Sequence, residues 1–181
     1  MAFSNIKPEL KIDKDTIIIP SQFMSMGEYL LAVFFRAMLI QGKITDLYYN
    51  KPLPEKLRYS KHYSRYYKQV NVDIEREHKV YVDFTWTDVN SGKTCMHEYN
   101  GYGHIGIDGK HVLTLDDQVN YSNRDTALVQ YCLTKGIPLS VTQVPNPGIK
   151  ASNDFNATLS QQILEDNIAA SIQNQFNIYK G

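Results

Sequence analysis

A run of basic and aromatic residues is the part of this sequence whose side chains and spacing most clearly suggest a chemical task. Residues 56–68 read KLRYSKHYSRYYK and include no acidic residue. Lysine and arginine neutralise phosphate groups, and tyrosine rings stack on unpaired bases at about 1–3 kcal/mol per base. Interleaving them suits a nucleic-acid strand whose backbone and bases are both exposed. The candidate DNA-binding residues in the run are Lys56, Arg58, Tyr59, Lys61, Tyr63, Arg65, Tyr66, Tyr67 and Lys68.

Two other interpretations of residues 56–68 stay open. The run is also typical of a solvated loop whose tyrosines pack against a sheet, and its charge suits a polyanionic protein partner. The whole chain carries 19 basic and 19 acidic residues, so its net charge gives no long-range steering of a ligand. Any electrostatic attraction must therefore come from a local concentration of charge such as this run.

Covalent chemistry has weaker candidates. Glu77 and Lys79 form the E-x-K pattern of some metal-dependent nucleases, which would need a further carboxylate from Asp46 or Asp73. The sequence contains no phosphate-binding glycine loop, no G-x-S-x-G and no H-E-x-x-H motif. We therefore expect a protein that is not an enzyme and that uses no cofactor.

A metal site also has candidate ligands. Cys95 and His97 lie two residues apart and share one face of a predicted strand, with His104 and His111 as further ligands. Zinc sites need a closed set of ligands, and scattered histidines are more often structural. The second cysteine, Cys132, completes neither a C-x-x-C pair nor a disulfide framework. We expect no bound metal and a reducing, intracellular setting.

Periodic patterns predict the elements that position these residues. Ser25 and Glu28 form a capping box before a helix that ends at Gly42. Apolar residues alternate along residues 80–86, and residues 90–92 (Asn-Ser-Gly) suit a turn. We predict an α+β fold in which an antiparallel β-meander sheet carries helices on one side. The predicted strands are 10–19, 44–49, 70–74, 80–86 and 93–99, the predicted helices are 26–41, 120–135 and about 157–178, and residues 138–148 are predicted to be irregular or edge-like.

The chain is predicted to be a single domain spanning residues 1–181, because no long linker or repeat divides it. Its most apolar segment, residues 29–40, is shorter than the roughly 20 residues of a membrane span and contains Arg36. That helix has almost no polar face, which indicates either a core position or a subunit interface. Residues 1–10 show no signal peptide, so we expect a cytoplasmic protein without a membrane partner.

The order of motifs in residues 69–137 resembles the single-strand annealing proteins. These include the phage essential-recombination-function and Sak types and the eukaryotic Rad-type strand-annealing proteins. The resemblance rests on alternating strands at 69–73 and 80–86, the turn at 90–93, the sequence HEYNGYG at 97–103, and the helix from about residue 120. It covers less than half of the chain. The compact length is similar to a phage version.

The resemblance implies a β-β-β-α core at about 69–137 and a structural turn at Gly101, Tyr102 and Gly103. It implies rings or helical filaments that bind single-stranded DNA in a positive groove and anneal complementary strands in recombination without ATP. Further phosphate contacts are expected from Lys93, Arg124 and Lys135. The expected partners are single-stranded DNA, further copies of this chain, and a phage or host protein that binds single-stranded DNA. The family helix often carries adjacent basic residues, where this chain has Gln130 and Tyr131.

Two alternatives belong to other functional classes. The protein could bind and protect single strands without annealing them. It could instead be a protein-interaction module, such as a phage inhibitor of host defence, that uses its tyrosine-rich surface against protein. Salt-dependent affinity for DNA and the rate of duplex formation distinguish these alternatives from an annealing protein.

Overall fold

A computed structural model describes residues 8–62, 73–100 and 115–143 of the chain. Several predicted features lie outside these ranges: Tyr63, Arg65, Tyr66, Tyr67, Lys68, Gly101, Tyr102, Gly103, His104, His111 and the helix at about 157–178. The described part is an α+β structure, as predicted. Its strands are β1 (Leu10–Ile12), β2 (Ile44–Pro52), β3 (Leu57–His62), β4 (Asp73–His78), β5 (Tyr81–Asp88), β6 (Thr94–Asn100) and β7 (Leu139–Gln143), and its helices are α1 (Met26–Ile40) and α2 (Leu115–Lys135), with a 3₁₀ turn at Pro20–Gln22.

The main sheet has five strands in the order β1-β2-β5-β6-β7. Neighbouring strands are antiparallel except β6 and β7, which are parallel. The order differs from a simple meander in two places. The hairpin of β3 and β4 forms a separate two-stranded sheet, so β2 pairs directly with β5. Helix α2 lies between β6 and β7 in the chain, which supplies the long crossover that a parallel pair requires.

Helix α1 begins and ends where the sequence predicts. The Ser25 hydroxyl accepts a hydrogen bond from the Glu28 backbone N–H at 3.2 Å, which caps the first turn. Gly42 follows the helix with a φ of +72°, a left-handed conformation that glycine adopts without strain. Phe35 packs its ring against Phe84 and Trp86 of β5, with centroids 5.1 and 4.6 Å away.

The two helices lie on opposite faces of the sheet, so the prediction of helices on one side is wrong. Side chains of a strand alternate between faces, and α1 and α2 contact different sides of β6. Phe35 of α1 contacts the ring of His97, whereas Cys132 of α2 contacts the sulfur of Met96. Residues 95–99 are all buried, because each face of β6 is covered by a helix.

The first strand is shorter than predicted. Only Leu10–Ile12 pairs with β2, and the β-branched run that follows leaves the sheet. The Thr16 hydroxyl accepts a hydrogen bond from the Asp13 N–H at 2.8 Å, and such a local turn competes with strand pairing. Arg36 of α1 then donates to the Thr16 carbonyl at 2.7 Å, which holds this turn against the helix. No helix in the three described ranges is both long and apolar enough to span a membrane.

Candidate nucleic-acid interface

The start of the basic run forms strand β3, which pairs with β4 in a hairpin. The register places Tyr59 opposite Arg76 and Leu57 opposite His78. Alternation puts Leu57, Tyr59 and Lys61 on one face, and that face begins in the core under α2 and opens to solvent at Lys61. The described part of the run is therefore a strand rather than the solvated loop, although Tyr59 does pack against the core as that alternative expects.

The opposite face of the hairpin carries mixed charge. Arg58 lies on this face with Glu75 and Glu77 of β4. The Arg58 Nε atom lies 3.0 Å from the Glu75 Oε1 atom, and both side chains are more than half exposed. The absence of acidic residues within 56–68 thus does not make this face a basic surface, because the partner strand supplies the carboxylates.

Two asparagines of α2 fasten the helix to the outer edge of β3. The Asn120 side chain accepts a hydrogen bond from the His62 N–H at 2.6 Å and donates to the His62 carbonyl at 3.1 Å. Asn123 donates to the Ser60 carbonyl at 2.8 Å. These bonds satisfy backbone groups that an edge strand would otherwise leave unpaired. They also fix the distance between β3 and the first turns of α2.

An open pocket of about 140 Å³ lies at this junction. Two of its side chains are tyrosines and two are cationic, which is the composition that binds a base together with its phosphate. Tyr59 and Lys61 come from β3, and the other three residues come from α2. The lining residues are Tyr59, Lys61, Asn120, Tyr121 and Arg124.

Arg124 lines the pocket, and hydrogen bonds and ion pairs hold its side chain in place. Its Nη2 atom lies 2.9 Å from Glu98 Oε1 and donates to the Tyr81 carbonyl at 2.8 Å, while Nη1 lies 3.1 Å from Asp125 Oδ1. Burial lowers the pKa of Arg124, but the surrounding carboxylates led by Glu98 outweigh that effect and keep the group charged. Because its charge is already compensated, Arg124 orients the pocket more than it attracts a phosphate.

Lys61 provides the pocket's uncompensated positive charge. Among the described residues, no carboxylate forms an ion pair with it. Burial is the main cause that lowers the pKa of His78, with Lys61 and Arg76 adding to it, so that ring is neutral at pH 7. The ring of His78 stacks on Tyr59 with a centroid distance of 4.2 Å and an angle of 31°. The neutral histidine therefore supports the tyrosine at the pocket.

The structure brings together only some of the predicted DNA-binding residues. The Lys93 carbonyl accepts a hydrogen bond from the Asp88 N–H at the end of β5. Asp88 is about 23 Å along the strand from Tyr81, which contacts Arg124, at 3.3 Å per residue. Lys135 is eleven positions beyond Arg124 on α2, about 16 Å along the helix, and its Nζ atom lies 3.5 Å from Glu55 Oε1. Lys56 is exposed at the start of β3. Of the predicted DNA-binding residues that the structure describes, the pocket therefore unites Tyr59, Lys61 and Arg124.

Three residues at this surface were missed from sequence: Asn120, Tyr121 and Arg76. The spacing of Asn120, Tyr121 and Arg124 is a usable signal, because residues three and four apart share one face of a helix. Arg76 is exposed and lies across from Tyr59, on the same face of the hairpin. Its role follows only from the strand register, which the sequence does not specify.

A group of buried carboxyls connects the two helices through the sheet. Tyr49 donates to Glu28 of α1 at 3.2 Å, and the Tyr99 N–H donates to Asp83 at 2.7 Å. Burial, followed by the charge of Glu28, raises the pKa of Asp83 to about 6. Burial also raises the pKa of Glu28 and raises that of Glu98 well above its ordinary value. The hydrogen bond between Asp83 and Glu98 requires a proton on one of them.

The two candidate metal ligands that the structure describes, Cys95 and His97, are buried and have structural contacts. His97 is fully buried, and its Nδ1 and Nε2 atoms lie 2.7 and 2.8 Å from the hydroxyls of Ser140 and Thr142. Both ring nitrogens are thus occupied, and they tie β6 to β7. The pKa of the Cys95 thiol is raised to about 11, and burial is the largest cause. Within the described ranges, no group of three or more His, Cys, Asp or Glu side chains is arranged to hold a metal ion.

Comparison of the chain with protein-family models, with curated proteins and with solved structures finds no match. The resemblance to the single-strand annealing proteins therefore stays a prediction from short motifs. The pocket between β3 and α2 is the feature from which a function can be argued on geometry.

Proposed function

We propose that the protein binds single-stranded DNA at the surface between β3 and α2 and anneals complementary strands without ATP. One observation carries this proposal: a tyrosine and a lysine from the basic run share a pocket with a tyrosine and an arginine from α2. Three of these side chains, Tyr59, Lys61 and Arg124, are also DNA contacts predicted from the sequence. Binding and alignment of two strands need no covalent step, so the proposal includes no catalytic residue.

The size and lining of the pocket favour a single strand over a duplex. A pocket of about 140 Å³ has room for one flat ring, whereas paired bases are stacked and hidden inside a helix. Tyrosine faces bind unpaired bases of any sequence, because every base has a π-face. Lys61 and the exposed Arg76 supply positive charge on the same face of the hairpin.

Among the residues that the structure describes, few cations at this surface are available for phosphate contacts. Arg58, Arg124 and Lys135 are each in an ion pair, so they offer less attraction than the sequence suggested. A single subunit should therefore bind DNA weakly. Several subunits on one strand would bind far more tightly, because each added contact becomes intramolecular.

An oligomer is supported by the outer face of α1. Met26, Val33 and Ile40 are 45%, 37% and 55% exposed, and Leu30 and Ala37 complete a stripe with alternating spacings of four and three residues. This spacing is typical of helices that pack against another helix. We infer that this stripe contacts a second copy of the chain. The proposal places the protein in the cytoplasm, or in the host cytoplasm if a phage encodes it, beside a protein that protects single strands.

The exposed apolar residues also favour a second candidate, a protein-interaction module. Ile17 is 79% exposed, Met24 is 58% exposed and Ile19 is 47% exposed, all close in sequence to α1. Exposed apolar side chains of this kind are suited to contact with a protein partner. Such a module would bind without the salt dependence of a DNA contact.

The test measures binding of a fluorescent single-stranded oligonucleotide at several salt concentrations. In Lys61→Ala, the slope of log affinity against log salt should fall by about 0.7, which is the contribution of one phosphate contact to a single strand. Lys93→Ala is the matched control, because Lys93 is exposed but far from the pocket. Equal slopes in Lys61→Ala and wild type would reject this surface, and absence of binding would favour the interaction module.

Annealing is tested separately with complementary oligonucleotides. An annealing protein speeds the appearance of duplex, whereas a protecting protein slows it. Acceleration by wild type that is reduced in Lys61→Ala and kept in Lys93→Ala supports the full proposal. Slower duplex formation with intact binding would leave the protein as a single-strand binder that does not anneal.

A further inference from the structure

We propose that the pocket between β3 and α2 holds one unstacked pyrimidine nucleotide, with its base between Tyr59 and Tyr121 and its phosphate on Lys61. This inference rests on the proposed function and names the ligand of that site. It follows from the volume of the pocket, from the hydrogen bonds already made by its polar residues, and from the rigidity of its walls.

The volume limits the size of the ring. The pocket measures about 140 Å³, and a cavity of about 150 Å³ is known to accept a single benzene ring. A pyrimidine has one six-membered ring and matches this space. A purine adds a fused five-membered ring, which would have to extend through the open side and lose contact with one tyrosine. Size alone therefore favours thymine and cytosine over adenine and guanine.

Two of the polar residues of the pocket already use their hydrogen-bonding groups within the protein, so few such groups are available to recognise the edge of a base. Asn120 uses its oxygen and its nitrogen on the backbone of His62, and Arg124 is engaged by Glu98, Asp125 and the Tyr81 carbonyl. Lys61 is the cation that remains for a phosphate. The preference for pyrimidines over purines therefore comes from the size of the pocket, and stacking and charge separate thymine from cytosine only weakly.

Three of the five side chains that line the pocket, Tyr59, Asn120 and Arg124, are held in place before a ligand arrives. Tyr59 stacks on His78, Asn120 and Asn123 bind the edge of β3, and Glu98 fixes Arg124. A site whose side chains are already ordered loses less conformational entropy on binding. A pocket this rigid holds one nucleotide at a fixed place on each subunit and so sets the register of the strand.

The experiment uses fluorescence anisotropy at low salt to compare the affinity for two oligonucleotides of five nucleotides, one of thymidine and one of deoxyadenosine. Wild type should bind the thymidine strand more tightly. Tyr121→Ala should weaken thymidine binding by roughly 5- to 150-fold, the equivalent of one stacked base, and should shrink the preference for thymidine over adenosine. Tyr121→Phe keeps the ring and should behave as wild type. Tyr121 is 40% exposed, so its replacement should not prevent folding, which circular dichroism verifies.

Tyr48→Ala is the matched control. Tyr48 is a half-buried tyrosine on β2 with Lys51 Nζ 3.9 Å and Lys11 Nζ 6.0 Å from its ring centroid, and it lies outside the pocket. The inference would be overturned if Tyr48→Ala lost binding while Tyr121→Ala bound the thymidine strand as tightly as wild type. So would an unchanged preference for thymidine in Tyr121→Ala while the salt effect of Lys61→Ala persists, and in that case the proposed function would stand. No binding of either strand would overturn both.

Discussion

Two buried ionisable residues, Asp83 and His97, have opposite effects on how the free energy of unfolding depends on pH. Asp83 has a pKa of about 6 in the folded protein against an ordinary value of 3.8, so folding favours its protonated form. His97 has a pKa of about 3 against 6.5, so folding favours its neutral form. Between about pH 4 and 6, raising the pH lowers the free energy of unfolding through Asp83 and raises it through His97. Variants that remove one group should reveal the effect of the other.

Asp83→Asn should stabilise the protein at high pH. The native carboxyl loses stability as the pH rises from about 4 to 6, and the asparagine oxygen can still accept the Tyr99 N–H. We expect a free energy of unfolding roughly 1–3 kcal/mol above wild type at pH 8 and a difference near zero at pH 4, since one pKa unit corresponds to about 1.4 kcal/mol. Urea denaturation at pH 4, 6 and 8 measures this. A variant less stable than wild type at pH 8 would contradict the raised pKa.

His97→Gln should destabilise the protein most at neutral pH. Loss of the bonds to Ser140 and Thr142 leaves buried hydroxyls poorly paired, at a cost of about 1–3 kcal/mol at pH 7. The gap between wild type and variant should narrow as the pH falls from 6.5 towards 4, because protonation of His97 in the unfolded chain destabilises wild type alone. The same urea series checks this. A gap that stays constant with pH would mean that the histidine titrates normally in the folded protein.

Packing between α1 and β6 is decided at the scale of elements by one glycine. Gly27 lies in the first turn of α1, directly against the ring of Tyr99. A methyl group at this position would overlap the ring atoms, so the helix and strand can approach this closely only with glycine here. Helix propensity by itself would favour alanine by about 1 kcal/mol.

Gly27→Ala should therefore destabilise the fold despite its better helix propensity. Overpacking of a core contact costs about 1–3 kcal/mol, which we expect as a decrease in the free energy of unfolding measured in urea. The double variant Gly27→Ala with Tyr99→Leu should lose less than the sum of the two single changes, because the smaller side chain makes room for the methyl group. Additive losses would show that the ring does not set the spacing of the helix.

The distribution of surface groups matters at the scale of the whole molecule. A chain with no net charge has little electrostatic repulsion to keep copies apart, and α1 presents an apolar stripe outward. On the other side of the sheet, α2 and the hairpin form the pocket. Association through α1 would thus leave the proposed DNA surface open on every subunit.

Val33→Lys should weaken self-association without unfolding the protein. Val33 is at the centre of the stripe on α1 and is 37% exposed, so the lysine can reach solvent in the monomer but not in a helix contact. Light scattering should give a wild-type mass above the 20.8 kDa of one chain and a mass closer to it for the variant. Val129→Lys is the control, since Val129 is 46% exposed on α2, which lies on the other side of the sheet from α1. A wild-type mass of one chain would exclude the contact.

The local elements of the fold can be predicted from the residue types. The Ser25 cap, the end of α1 at Gly42, the alternating strand β5 and the turn at residues 90–92 all follow from contacts between residues a few positions apart. Helix α2 was also predicted, although its first residues were placed outside it. Such features depend on backbone conformation and on the period of apolar residues, and both are readable from the residue types.

The set of residues that share a site depends instead on contacts between distant parts of the chain. His62 and Asn120 meet across 58 positions of chain, and that contact forms the pocket from Tyr59, Lys61, Tyr121 and Arg124. Sequence predicted Tyr59, Lys61 and Arg124 from their types but could not predict that Glu75 neutralises Arg58 or that His97 is sealed by β7. Strand order, register and the choice of sheet face depend on contacts distant in sequence, and no local pattern specifies them.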